Sequence, residues 1–123
     1  MKNQTRYNDL IRIIPDYPKD GIHFYDLNSL FASPIYKRAI KELKIKTKCR
    51  FDHRALTHIV GIESRGFVVG SALAYALNLP FVMVRKAGAK YPGELLEESY
   101  TLEYGEATLT LQTGLLGHTS RCV

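Results

Sequence analysis

The stretch from residue 57 to residue 67 constrains the fold of this chain more than any other. It starts as a strand-forming run at 59–62, breaks at the turn Glu63-Ser64-Arg65-Gly66, and restarts as a helix of small residues over 67–77. A strand, a turn and a helix in that order are typical of an α/β sheet. Backbone N–H groups and a helix N-terminus stabilise negative charge at such a turn. Because Arg65 adds a permanent cation and a bidentate donor, the turn predicts a phosphate or pyrophosphate site.

The length and composition of the chain limit what kind of protein it is. At 123 residues it suits one domain with its own core, and its 46% hydrophobic and 24% charged residues are ordinary for a globular protein. No apolar run approaches a membrane span or a signal peptide, so we expect a cytoplasmic protein that does not contact membranes. Two cysteines, Cys49 and Cys122, make no disulfide framework, and no Cys or His spacing matches a metal site.

The net charge of +5 raises the hypothesis of a nucleic-acid surface. The basic residues concentrate in one predicted helix and the loop after it: Lys37, Arg38, Lys41, Lys44, Lys46, Lys48, Arg50 and Arg54. We predict no nucleic acid among the partners, but a nucleic-acid module stays open as a third function, which a steep salt dependence of binding would reveal.

The first half of the chain predicts two helices and an extended strip. Apolar residues at helical spacing indicate a helix over 5–14 that Pro15 ends, and a turn-rich segment then leads into an extended strip at 22–27. Ser33 is a candidate N-cap for a second helix, with Pro34 at its first position. A basic loop over 47–54 is expected to follow that helix.

The second half predicts a parallel pair of strands and a hairpin. The helix over 67–77 should end at Asn78 and Pro80, and a buried strand at 81–84 should run parallel to the strand at 59–62 through a right-handed crossover. Alternating residues at 100–104 and 107–111 predict a hairpin that turns at Gly105-Glu106. Residues 121–123 look like the start of a further strand.

Four segments resemble adenine phosphoribosyltransferases, which belong to the type I phosphoribosyltransferases. In chain order they are Pro15-Asp16-Tyr17-Pro18 with Gly21-Ile22-His23-Phe24-Tyr25-Asp26, then Gly61-Ile62-Glu63-Ser64-Arg65-Gly66-Phe67, then Arg85-Lys86, then Glu98-Ser99-Tyr100-Thr101-Leu102-Glu103-Tyr104-Gly105. The resemblance implies an α/β fold, with a parallel sheet that has helices on both faces, an N-terminal hood and a β-hairpin. It implies one incomplete domain over 1–123, with the hood at about 15–30, the core at about 31–123 and a lid loop at about 87–98.

The resemblance also implies a reaction. Such enzymes join adenine to 5-phosphoribosyl-1-pyrophosphate (PRPP), giving AMP and pyrophosphate in purine salvage. Mg²⁺ enters on the pyrophosphate, without a protein ligand, and the enzyme is a cytoplasmic homodimer.

Site residues follow from the resemblance position by position. The turn Glu63, Ser64, Arg65, Gly66 resembles the pyrophosphate loop, in which a cis peptide is expected at Glu63-Ser64. Phe24 resembles the aromatic that stacks on adenine, and the backbone of His23 matches the position that reads the purine edge. Arg65 and Glu103 are the candidate catalytic residues, and Glu103 is expected to assist proton movement or to steady the ribose cation. Lys86, Lys90, Tyr104 and Tyr25 complete the predicted substrate-binding set.

The chain departs from the family pattern in three places. Tyr25 stands where many members have Arg, and the lid is about one residue longer than usual. The family's strand with two Asp and its Thr-Gly-Gly-Thr loop, which hold the ribose and the 5′-phosphate, are expected just after Val123, so the fold is predicted to be truncated before the PRPP-motif strand. The isolated chain is therefore expected to have little or no transferase activity, and the missing acidic residues offer a second account of the charge. A truncated gene product, a fragment and a degenerate relative all fit.

Other functions remain open at this stage. The chain fits a transferase for another purine base, a nucleotide-binding regulator on the same scaffold, or a non-catalytic partner that dimerises with a full-length enzyme. Structural roles also remain open for individual residues: Phe24 as a core residue, Arg65 as a loop cap and Glu103 on a solvated face.

Overall fold

The computed structural model describes residues 6–52, 54–88, 91–102 and 105–123. The described residues fall into two compact units, residues 6–42 and residues 43–123. No helix in the described ranges has both the length and the apolar content needed to cross a membrane.

The first unit is built on a two-stranded antiparallel sheet. A 3₁₀ helix at Tyr7–Leu10 precedes β1 (Arg12–Ile14), which pairs with β2 (Phe24–Asp26). The predicted strip at 22–27 is thus confirmed at its centre, but the predicted helix over 5–14 is present only as the 3₁₀ helix at Tyr7–Leu10 and is wrong over 12–14. Three of its apolar residues are β-branched isoleucines, which favour an extended backbone, and pairing with β2 satisfies that preference.

Two helices follow β2. The short α1 (Asn28–Phe31) was not predicted, whereas α2 (Ile35–Arg50) begins where the capping signal placed it. Ser33 accepts a hydrogen bond at its Oγ from the Ile35 N–H, at 3.2 Å. The predicted loop over 47–54 is wrong as far as Arg50, because Thr47 is buried and its hydroxyl donates to the Leu43 carbonyl within the helix.

The second unit is a mixed four-stranded sheet with strand order β3-β4-β6-β5. As predicted, β3 (Ile59–Ile62) and β4 (Phe81–Lys86) are parallel and are joined by α3 (Arg65–Leu77). The other two strands, β5 (Leu95–Leu102) and β6 (Gly105–Gln112), form an antiparallel hairpin, and β6 also pairs antiparallel with β4. Cys122 forms an isolated parallel bridge with His58, so the predicted start of a strand at 121–123 is present only as this one bridge.

The core of this unit lies where α3 packs on the sheet. Ile59, Leu73 and Ala74 are buried there, and a ring of half-buried apolar residues surrounds them: Leu43, Leu77, Leu79, Phe81 and Val123. Small residues allow the close approach, since a Cβ on Gly70 would lie 2.6 Å from the Phe81 ring. The helix ends at Asn78, which adopts the left-handed conformation (φ 57°) that suits a C-cap.

The hairpin differs from its prediction in length and in register. β5 already begins at Leu95, so the last four residues of the segment 87–98 are strand, and the lid implied for that segment remains a prediction. Gly105 pairs with Leu102 and belongs to β6, so the predicted turn at Gly105-Glu106 is also wrong. The Leu95–Glu98 segment has no alternating pattern of its own, and its strand form comes from pairing with β6.

Candidate anion-binding turn and hood

The turn between β3 and α3 has the backbone that the sequence predicted. The Glu63-Ser64 peptide bond is cis, at the position that the resemblance implied. Helix α3 begins at Arg65, two residues earlier than expected, so Arg65 and Gly66 lie in its first turn. That first turn presents backbone N–H groups and the positive end of the helix dipole. Arg65 is exposed there, and the arrangement can bind an anion.

Glycines bring the start of α3 against β3. A Cβ on Gly61 would lie 2.5 Å from the Gly66 carbonyl oxygen and 2.7 Å from the Phe81 ring, closer than any side chain tolerates. Phe81 also meets Phe67 edge-to-face, with ring centroids 6.3 Å apart. These contacts fix where the turn stands on the sheet.

The Glu63 side chain ties the turn to the end of β4. Its carboxylate accepts a hydrogen bond from the Lys86 backbone N–H at 3.0 Å and another from the Arg85 guanidinium at 3.4 Å. These hydrogen bonds lower the pKa of Glu63 below its usual value, and the bond from Lys86 has the larger effect of the two. The sequence suggested a substrate contact for Glu63, and the structure adds this positioning role.

Arg85 is the residue of this region that the sequence analysis left out of the site. Besides contacting Glu63, its guanidinium lies over the Tyr91 ring, 5.4 Å from the centroid. Its Nε is buried and has no hydrogen-bond partner among the described residues. The sequence already indicated that Arg85 and Lys86 have different surroundings. They are adjacent in a strand, and adjacent residues of a strand point to opposite faces of the sheet. Arg85 stands opposite Thr110 and Lys86 opposite Leu109, so only one of the two side chains can share the face of Glu63.

The hood residues lie in the first unit, where Phe24 and Tyr25 occupy opposite faces of β2. Phe24 is half-buried and meets Tyr17 edge-to-face at 5.3 Å. Tyr25 is exposed and lines a depression of about 240 Å³ together with Asn8, Ile11 and Ile13. His23 is exposed at the start of the strand.

An ion pair that was not predicted joins β1 to β2. Asp26 is buried, and its carboxylate accepts hydrogen bonds from the Arg12 side chain and from the Asn28 N–H, the latter at 2.9 Å. Because Arg12 and Asp26 are register partners across β1 and β2, the pair fixes the pairing that positions Phe24.

Three of the predicted site residues, Lys90, Glu103 and Tyr104, lie outside the described residues. The roles implied for them remain predictions.

Comparison with known proteins finds adenine phosphoribosyltransferases both by sequence and by structure. The adenine phosphoribosyltransferase of Pasteurella multocida is 43% identical over 103 residues, which are 84% of this chain and 55% of that protein. The enzyme of Saccharomyces cerevisiae, solved with adenine and an imino-altritol bisphosphate, superposes with a TM-score of 0.85 at 35% identity, over 94% of this chain and 66% of that one. The Trypanosoma brucei enzyme, solved with AMP, pyrophosphate and ribose-5-phosphate, superposes with a TM-score of 0.78 at 30% identity. The match covers 94% of this chain and 51% of that one. No protein-family model matches the chain. The chain spans about half the length of the curated relatives it matches.

Proposed function

The chain belongs to the adenine phosphoribosyltransferase family, and on this premise we propose that the protein joins adenine to PRPP, giving AMP and pyrophosphate in purine salvage. The observation that supports this most directly is the turn at 63–66, where Arg65 stands in the first turn of α3 and Glu63 holds Arg85 nearby. A leaving pyrophosphate needs cations and N–H donors, and this turn supplies both.

In the proposed reaction N9 of adenine attacks C1′ of the ribose as pyrophosphate leaves. Positive charge develops on the ribose, and negative charge develops on the departing diphosphate. Arg65 and the first amides of α3 would neutralise the leaving group, while Glu103 would assist proton movement or steady the ribose cation. Lys86, Lys90 and Tyr104 are proposed as further substrate contacts.

The hood is proposed to bind the base. Phe24 would stack on adenine, and the backbone of His23 would read its edge. Tyr25 replaces the Arg that many family members have, and its position on the opposite face of β2 from Phe24 means that the two rings do not form one stacking surface. Because the arginine contact is absent, transfer to a purine other than adenine is the second candidate function. Binding of adenine, hypoxanthine and guanine, measured side by side, separates the two.

We propose that Mg²⁺ enters on the pyrophosphate of PRPP, where it neutralises part of the negative charge. The carboxylate nearest the turn, Glu63, already accepts hydrogen bonds from Arg85 and Lys86. In the described part of the chain no three His, Cys, Asp or Glu side chains are grouped to hold a metal ion. We propose that diphosphate oxygens and water are its main ligands. A cytoplasmic homodimer is the proposed state of the protein.

The isolated 123-residue chain is proposed to bind pyrophosphate with little turnover. Its sequence contains neither an Asp-Asp pair nor a Thr-Gly-Gly-Thr loop, the family elements that hold the ribose and the 5′-phosphate. Robust AMP formation from adenine and PRPP by this pure chain would refute the expectation of low turnover.

Calorimetric titration with magnesium pyrophosphate tests the proposed site. Arg65→Ala should weaken binding at least about tenfold, since it removes a charge-assisted contact. Arg54→Ala removes an exposed arginine of the same unit and should leave the affinity unchanged. Absence of binding by the unmodified chain, or equal affinity in Arg65→Ala, would contradict the proposal.

A further inference from the structure

The segment just before β5 is fixed to the sheet by several contacts. The Tyr91 hydroxyl donates to the Met83 carbonyl at 3.4 Å. Two neighbouring carbonyls accept hydrogen bonds from the end of the hairpin: Pro92 from the Gln112 side chain and Glu94 from the Thr113 N–H, both at 3.0 Å. These contacts, above all the two at 3.0 Å, hold the segment that carries Tyr91 against the sheet.

The Arg85 guanidinium contacts both this ring and the anion-binding turn. Its Cζ lies over the Tyr91 ring, 5.4 Å from the centroid, and its Nη2 is 3.4 Å from the Glu63 carboxylate. The second distance is long for a charge-assisted hydrogen bond, so the ion pair alone fixes the guanidinium only loosely. A flexible arginine side chain that is about one third exposed needs a second contact to keep one position.

We propose that Tyr91 is a positioning residue for anion binding at the 63–66 turn. Its ring attracts the Arg85 guanidinium through a cation–π contact and holds that charge next to Glu63, which forms the cis bond with Ser64 and stands two residues before Arg65. Tyr91 acts through Arg85 and makes no contact with the ligand itself. The inference rests on the proposed function, because it assigns an affinity-setting residue to the same site.

Two substitutions separate the ring from the hydroxyl. Tyr91→Leu removes the aromatic face, and Tyr91→Phe keeps it but removes the hydroxyl that donates to Met83. A cation–π contact at a partly exposed site corresponds to about a three- to tenfold change in affinity. Tyr91→Leu should weaken pyrophosphate binding by that factor, and Tyr91→Phe should bind like the unmodified chain. Tyr75→Leu, at a tyrosine that is 90% exposed on α3, is the matched control.

The experiment titrates magnesium pyrophosphate into the four proteins by calorimetry and records the thermal midpoint of each. If Tyr91 only stabilises the fold, Tyr91→Leu lowers the midpoint but keeps the affinity, and the inference is wrong. Equal loss of affinity in Tyr91→Leu and Tyr91→Phe also contradicts it, because the hydroxyl and not the ring would then be responsible. Failure of the unmodified chain to bind would instead overturn the proposed function, and this inference with it.

Discussion

Glu63 and Lys86 are joined by a hydrogen bond of 3.0 Å from the Lys86 backbone N–H to the Glu63 carboxylate, which ties the start of the candidate site to the end of β4. This contact and the neighbouring Arg85 guanidinium lower the pKa of Glu63 in the folded chain. A carboxyl group with a lowered folded-state pKa adds stability above its unfolded pKa and loses it as the pH falls through the folded value. The turn should therefore weaken on acidification.

The first prediction concerns this acid dependence. The thermal midpoint of the unmodified chain should fall as the pH drops below the ordinary pKa of glutamate, and Glu63→Gln should remove part of that fall because it cannot ionise. Glu97→Gln, at an exposed position on β5, is the control and should keep the full dependence. Midpoints between pH 7 and about pH 3 check this. Parallel curves for Glu63→Gln and the unmodified chain would contradict the assignment.

The second prediction concerns the close approach of α3 to β3. Gly61→Ala places a methyl group 2.5 Å from the Gly66 carbonyl oxygen and 2.7 Å from the Phe81 ring, so the helix or the ring must move. Overpacking of this kind costs about 1–3 kcal/mol of unfolding free energy, measured by denaturant titration. Gly117→Ala, where a new methyl group meets nothing within 4 Å, should change stability by less than about 0.5 kcal/mol. Equal stability of the two variants would show that the packing is looser than described.

The third prediction concerns the ion pair of the hood. Arg12→Ala removes the guanidinium from the buried Asp26 carboxylate, while the Asn28 N–H remains. The Arg12 side chain is 65% exposed, so the attraction itself contributes little, and most of the cost of about 1–2 kcal/mol comes from a buried carboxylate that has lost one of its donors. Asp26→Asn, which removes the charge, should cost less than Arg12→Ala. Denaturant titration compares both with Lys19→Ala, at an exposed lysine, and a milder effect of Arg12→Ala than of Asp26→Asn would contradict the argument.

The β3–α3–β4 unit was predictable because its signals are local. Each element has a pattern that can be recognised within a few positions: a hydrophobic run, a Glu-Ser-Arg-Gly turn and a helix of small residues. The parallel pairing follows from the handedness of such crossovers. The prediction of a helix over 5–14 relied on a local pattern as well, and there the local pattern was misleading. The spacing of Tyr7, Leu10, Ile11 and Ile14 matches a helix, but β-branched residues with a pairing partner at β2 prefer a strand.

Contacts between residues far apart in the chain could not be predicted from the spacing of residues in the sequence. Glu63 and Arg85 are 22 positions apart, and Arg12 and Asp26 are 14 apart, so no periodicity reports either pair. The resemblance identified the Arg85-Lys86 segment but could not say which side chain turns toward Glu63. The predicted register of the hairpin was wrong. Glycine is a typical turn residue, but Gly105 pairs with Leu102 and therefore lies in β6.

The last prediction concerns the positive charge. Seven basic residues and one acidic residue lie on α2, so this one helix accounts for the net charge of +5. If the anion site is the 63–66 turn, Lys41→Ala combined with Lys44→Ala should leave pyrophosphate affinity within about twofold, since neither lysine belongs to that turn. A nucleic-acid surface on α2 would behave differently. Binding to duplex DNA would fall steeply with salt, and the double substitution would reduce the slope of log affinity against log salt by about 2. Calorimetry with pyrophosphate and a salt titration with DNA measure the two effects, and a collapse of pyrophosphate binding in the double variant would place α2 in the site.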